Sequence, residues 1–259
     1  MIDPNNLTGR DRSFDGLADK FERNIYGTSK GRLRHELLQY QLRPWLPEQT
    51  VLDVIDVGGG TGEMAQVMLR AGHNVLLNDI SEDVLRLARA KLTDSPRVRF
   101  HQGDLNSLLD ANERAALVIC HAVLEWTHQP RKIVHSLAQL IRPGGLLSLS
   151  FFNADAALFS NAVYGNFDYI ERGLKVKRQV KLNPQNPQRP QEVLQWVSEA
   201  GLSVYASAGV RCFHDYLRDR THQVEKYDEL FALEKRLGAI EPYKWLGRYF
   251  HIIAKAPES

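Results

Sequence analysis

Between residues 51 and 152, short apolar runs alternate with helical segments, and no other feature of the chain constrains its fold as tightly. "VLDVIDV", "NVLLNDI", "VRFHQGDL", "AALVICHAVLEW" and "LLSLSFFN" read as five strands. "GGGTGEMAQVMLRAG", "SEDVLRLARAKLTD" and "PRKIVHSLAQLIRPGG" read as the helices between them. Near-continuous apolar strands alternating with helices predict a parallel sheet covered on both faces. Ser81 is the expected cap of the second of these helices, with Glu82 and Asp83 in its first turn, where the helix dipole favours negative charge.

The first strand runs into "DVGGGTGE", residues 56–63. Glycines at a strand-to-helix turn permit a tight bend and close approach of the backbone to a ligand. The match to a dinucleotide fingerprint stops at Gly58, Gly60 and Gly62, because Glu63 stands where the last glycine belongs. A carboxylate at a helix N-terminus is a poor neighbour for a pyrophosphate, and no GK[ST] follows. A ligand without phosphates fits better, with a nicotinamide dehydrogenase as the weaker alternative. Asp56 either orients the loop amides or the ligand's amino group, or is a strand-end structural carboxylate. Asp79, 21 residues after Gly58, ends the second strand, where a carboxylate can accept from ribose hydroxyls.

Outside this region the pattern loosens. Residues 1–13 read as a flexible leader. Leu33, Leu37, Leu38 and Leu42 predict one or two helices between Asp15 and Leu46, broken near Gly27 and Gly31. After residue 189 come a helix at "PQEVLQWVSEAG", a strand at "LSVYASAGVRCF", a polar helical segment and a closing strand at "GRYFHIIAKAP". One domain with two insertions is expected, a less regular one at 153–189 and a helical one at 214–242. Within the first, residues 171–189 carry six basic residues and one acidic, in a chain of formal net charge +2. "GLKVKRQVK" alternates Lys175, Lys177 and Lys181 with apolar positions, which predicts a strand with one cationic face. That face either meets a polyanion or keeps an edge strand soluble. The two cysteines form no paired motif, and the nine histidines show no metal-ligand spacing. No apolar run reaches the roughly 18–20 residues that span a bilayer, so a cytoplasmic location is expected.

The G-x-G-x-G turn after an acidic strand end, Asp79, "QGDL" with Asp104, and "LIRPGGLLSLS" together resemble the seven-stranded class I methyltransferases. That resemblance implies a Rossmann-like α/β fold, a mostly parallel seven-stranded sheet with helices on both faces, and S-adenosylmethionine as cofactor. Further blocks, "FERNIYGTSKGRLR", "HAVLEW", "GNFDYIERG", "VRCFHDYLRD" and "LGRYFH", make residues 12–256 similar to the bacterial tRNA 5-carboxymethoxyuridine methyltransferases. The resemblance implies esterification of the carboxylate of 5-carboxymethoxyuridine at the anticodon wobble position. It also implies that Arg34, Gly58, Gly59, Asp79, Asp104, Leu105 and His121 line the cofactor site. Gly60 and Asp56 belong to the same turn. Arg34 can pair bidentately with the methionine carboxylate, though by its surroundings alone it reads as a surface helix arginine.

A substrate carboxylate is already ionised at neutral pH and needs no base, only an anchor and a near-attack geometry. Tyr26, Arg211, His214, Tyr216, Arg248 and Tyr249 are the anchor candidates. Lys175, Lys177, Arg178 and Lys181 are candidates for contact with the phosphates of the tRNA anticodon stem-loop, and Phe167 or Tyr169 for stacking on a splayed base. Two other readings stand: a methyltransferase for a small organic acid, and a non-catalytic cofactor-binding protein.

Overall fold

The computed structural model describes residues 28–93, 95–174 and 186–258. Tyr26, the leader at 1–13, and Lys175, Lys177, Arg178 and Lys181 lie outside those residues.

Seven strands form one sheet in the order β3-β2-β1-β4-β5-β7-β6. They are β1 (Asp53–Val57), β2 (Asn74–Asp79), β3 (Val98–Gln102), β4 (Ala115–His121), β5 (Ile141–Phe152), β6 (Ser203–Val210) and β7 (Tyr249–Lys255). Strands β3 to β5 run parallel, while β7 is antiparallel to both β5 and β6. The carboxyl ends of β1 to β6 and the start of β7 therefore share one edge. This is the mostly parallel seven-stranded sheet expected from the sequence.

The helices that pack on the sheet bury the apolar stripes their sequences provide. Helices α1 (Ser29–Leu42), α2 (Glu63–Arg70) and α3 (Glu82–Leu92) cover one face, where Leu42, Met64, Met68, Leu85 and Leu92 meet Val54, Leu77, Leu117 and Ile119. Helices α4 (Leu105–Asp110), α5 (Pro130–Gln139) and α8 (Pro190–Glu199) cover the other, where Leu108, Val134, Leu137, Val193 and Val197 meet Val118, Leu147 and Leu149. The Ser81 hydroxyl accepts from the Val84 amide, so α3 begins where its cap residue stands.

Two expectations need correction. Gly31 does not break α1: Thr28 caps that helix through the Gly31 amide, and Gly31 itself is buried in its first turn. The stretch after β5 begins regularly, with helices α6 (Ala154–Val163) and α7 (Phe167–Glu171). Asn153 starts α6 by accepting from the Asp155 and Ala156 amides. Helical periodicity is hard to read there because α6 and α7 leave Leu158, Phe159, Val163 and Phe167 exposed. In the 214–242 stretch, helices α9 (His222–Glu225) and α10 (Tyr227–Leu237) follow, and Tyr227 and Leu230 pack on Leu33, Leu37 and Leu38 of α1. No described helix is long and apolar enough to cross a membrane.

Candidate active site

The glycine turn after β1 is built by positive φ angles at Gly58, Gly60 and Gly62, a region that costs L side chains about 1–2 kcal/mol. It is also crowded. A Cβ on Gly58 would lie 2.5 Å from Val123 Cγ2, and one on Gly59 would lie 2.8 Å from the Asp56 carboxyl. The Asp79 carboxylate accepts from the Gly60 amide at 3.1 Å and the Ser81 amide at 2.9 Å, tying the turn to the end of β2. Glu63, the residue that argued against a pyrophosphate, pairs with Lys91 of α3.

Asp104 caps α4, accepting from the Ser107 amide at 3.0 Å, and is exposed, whereas Leu105 is buried. His121 ends β4, and its Nε2 lies 2.8 Å from Ser148 Oγ. Ala122 follows with φ +59. Arg34 reaches across from α1, donates to the Tyr249 hydroxyl at 3.3 Å and stands 5.1 Å from that ring's centre.

Among the described residues, seven buried side-chain polar atoms lack a hydrogen-bond partner, and four of them lie where β1 and β4 end: Asp56 Oδ2, Thr61 Oγ1, His121 Nδ1 and Glu125 Oε2. Orphaned buried polar atoms are rare and call for an explanation. Burial, aided by the Asp79 charge and opposed by the Ala65 amide, raises the Asp56 carboxyl to about 7. Burial likewise raises Glu125 to about 7, against backbone hydrogen bonds and the Arg34 charge. Perturbed carboxyls beside unpartnered donors and acceptors make this edge a candidate polar ligand site.

The second half of the edge lies over β6 and β7. Arg211, also at positive φ (+65), is buried and forms a two-pronged ion pair with Asp215. Burial alone would raise the Asp215 carboxyl, but Arg211 and His214 outweigh it and hold it well below the usual carboxylate range. The His214 ring is buried with neither nitrogen hydrogen-bonded among the described residues, its Nδ1 standing 3.7 Å from Asp215. Tyr216 donates its hydroxyl hydrogen to the Leu246 carbonyl at 3.0 Å. The Arg248 guanidinium lies 4.6 Å from the centre of the Phe152 ring and makes no ion pair among the described residues.

Thus the edge brings together Arg34, Asp56, Gly58, Gly59, Gly60, Asp79, His121 and Tyr249 on one side, and Arg211, His214, Tyr216 and Arg248 on the other. Glu125, Thr61 and Val123 were not singled out in the sequence. For Glu125 a signal existed, a lone carboxylate in the otherwise apolar "HAVLEW".

Residues 54–145 match the family model described as "Methyltransferase domain". The chain is 41% identical over 256 residues to the tRNA 5-carboxymethoxyuridine methyltransferase of Escherichia coli strain K12, covering 96% of this chain and 98% of that one. The chain belongs to the tRNA 5-carboxymethoxyuridine methyltransferase family. A more distant relative, the ubiquinone biosynthesis O-methyltransferase of Leptothrix cholodnii, is 29% identical over 70% of this chain and 78% of its own length. Among solved structures, the magnesium protoporphyrin IX methyltransferase of Synechocystis, with bound S-adenosylhomocysteine, superposes with a TM-score of 0.63 at 17% identity, over 94% of this chain and 96% of that one.

A member of this family is an S-adenosylmethionine-dependent methyltransferase, and this edge suits that cofactor. The crowding at Gly58 and Gly59 leaves a bare backbone cradle, and the orphaned acceptors and donors around it match a ligand with hydroxyl, amino and carboxylate groups. Both cysteines are buried and free, and burial raises both thiols far above neutrality, which disfavours the reactive thiolate.

Proposed function

We propose that this chain methylates the carboxylate of 5-carboxymethoxyuridine at the wobble position of tRNA anticodons, giving the methyl ester, and that it does so in the cytoplasm. The observation that carries the reading is the extent of the family match. It spans 96% of the chain, well beyond residues 54–145 that define a methyltransferase in general.

S-adenosylmethionine, when bound, supplies an electrophilic methyl group. The chain's work is then positioning. Arg34 holds the methionine carboxylate, Asp79 the ribose and Asp104 with Leu105 the adenine end. The substrate carboxylate is ionised near neutral pH and attacks without a base. Its anchor is Arg248, because Arg211 is committed to Asp215 and orders the turn beneath. Tyr216 and Tyr249 flank that anchor. An arginine stacked on Phe152 holds a carboxylate by one face of its donor fork while leaving one carboxylate oxygen to react.

Leu158, Phe159, Val163, Tyr164 and Phe167 are exposed on and after α6, beside this edge. The Tyr164 hydroxyl donates to the Asp215 carbonyl at 2.9 Å, and Arg220 stands 5.5 Å from the Tyr164 ring centre. Aromatic and cationic groups of this kind suit splayed bases and phosphates. Arg248→Ala should lower methylation of carboxymethoxyuridine-bearing tRNA at least tenfold, roughly the loss of one charge-assisted contact, with S-adenosylhomocysteine affinity unchanged in calorimetry. Equal loss of cofactor affinity would refute the assignment.

A further inference from the structure

A chain of buried side-chain hydrogen bonds ends at His121, and its polarity can be worked out link by link. Gln41 of α1 donates its amide nitrogen to the Gly209 carbonyl at 3.1 Å. A carbonyl cannot donate, so the other end of that side chain, Oε1, is an acceptor. It faces His251 Nδ1 at 2.9 Å, which must then carry the hydrogen. His251 is 1% exposed, and the Gln41 amide and Ser148 hydroxyl that bond its ring are both neutral. Its nearest ring neighbour is His121, edge-on at 5.4 Å. With no carboxylate on either nitrogen the ring is neutral, so Nε2 is bare. Ser148 Oγ, 2.8 Å away, donates to it. The Ser148 oxygen then accepts, at 2.8 Å, from His121 Nε2.

His121 is thereby left with its hydrogen on Nε2 and a lone pair on Nδ1. That Nδ1 is buried and has no partner among the described residues. Ser150, in register with both His121 and His251, likewise has a buried hydroxyl with no partner among the described residues. His121 shares its face of β4 with Leu117 and Ile119, the face covered by α1 and α2. Burial above all, and then the neighbouring His251, Arg34 and His35, disfavour protonation of His121.

We propose that Gln41, His251 and Ser148 are positioning residues that lock the tautomer of His121, so that its Nδ1 serves as a hydrogen-bond acceptor for the amino group of the methionyl end of S-adenosylmethionine. The other N–H and O–H donors of the cofactor, on ribose and adenine, belong to Asp79 and Asp104 at the ends of β2 and β3. An acceptor also repels a carboxylate, so the methionine carboxylate is steered to Arg34 and the substrate carboxylate away from His121. The inference rests on the cofactor alone and stands or falls independently of the RNA substrate.

The test is nitrogen-15 NMR of the ligand-free full chain at neutral pH, with His121 and His251 assigned by substitution. The two neighbouring rings should be in opposite tautomers, His251 with its proton on Nδ1 and His121 with its proton on Nε2. Identical tautomers, or a protonated Nδ1 on His121, would overturn the proposal. In calorimetry, Gln41→Leu and Ser148→Ala should each weaken S-adenosylhomocysteine about tenfold. Each should leave 5′-methylthioadenosine, which lacks the amino-acid end, unchanged. Equal loss for both nucleosides would mean general loosening and would overturn it too. Should either variant fail to fold, the wild-type spectrum still decides.

Discussion

Glu234 of α10 is 1% exposed, and its carboxylate collects three consecutive backbone amides: Cys212 at 2.7 Å on Oε2, and Phe213 at 2.9 Å and His214 at 3.0 Å on Oε1. These amides form the turn after β6 that carries Arg211 at positive φ and presents Asp215 and His214 to the site. Glu234→Gln keeps one acceptor oxygen, enough for Phe213 and His214, but turns an NH2 toward the Cys212 amide. A hydrogen bond to a charged acceptor contributes about 1.5–3 kcal/mol, and the facing donors add to the loss. Against this, burial already penalises the charge and raises the Glu234 pKa, which the neutral amide relieves. The net is about 2–3 kcal/mol. At about 2–4 °C per kcal/mol for a chain of this size, the melting temperature should fall by roughly 5–10 °C. Glu234→Ala, which leaves all three amides without a partner, should cost more. Thermal unfolding by circular dichroism measures both. Below the melting point the Gln variant should show a raised KM for tRNA with unchanged affinity for S-adenosylhomocysteine. A Gln variant melting within about 1 °C of wild type would refute the claim that this carboxylate holds the turn.

Three further outcomes are expected. Gly58→Ala should cut S-adenosylhomocysteine affinity tenfold or more, about 1.4 kcal/mol, because its Cβ meets the stiff Val123 side chain. Gly165→Ala, also at positive φ (+74) but with nothing within 4 Å of its Cβ, should cost stability alone; calorimetry beside thermal melts separates the two. Asp215 has a folded pKa below its ordinary value of 3.8, so its stabilising contribution is complete above that value and lost as pH falls. Asp215→Asn should flatten the acid side of a stability–pH curve from urea titrations. Asp56 and Glu125, raised from 3.8 and 4.5 to about 7, bind protons more tightly in the native state, so stability should decline as pH rises from about 4 to about 7. The Asp56→Asn, Glu125→Gln double variant should remove that decline.

The fold was legible because its signals are local. An apolar run of strand length, a glycine turn and a cap such as Ser81 each act within a few residues, and together they order the strands. Gly31 misled because a glycine inside a helical pattern is read as a break, while here it lies buried in the first turn of α1. Helices α6 and α7 were obscured by apolar side chains left on the surface, which blur the period of 3.6.

The site was legible only where one motif holds several of its parts. Gly58, Asp56 and Asp79 announce themselves by position at strand ends. The pairing of Arg211 with Asp215, the grip of Glu234 on amides 20 to 22 residues away, and the link from Gln41 to His251 across 210 residues leave no local trace. These contacts follow from which strand sits beside which, and β7 inserts between β5 and β6 against chain order. Glu125 was overlooked because a single carboxylate in an apolar run is ordinarily a surface residue at a strand end.

The central claim, that the chain esterifies a carboxylate on tRNA, is tested most directly by mass spectrometry of nucleosides. tRNA bearing 5-carboxymethoxyuridine is incubated with the purified protein and S-adenosylmethionine, then digested under conditions that spare esters. The carboxymethoxyuridine peak should give way to one heavier by a single methylene, with the other nucleosides unchanged. An undiminished carboxymethoxyuridine peak, or a methyl group appearing on any other nucleoside, would contradict it.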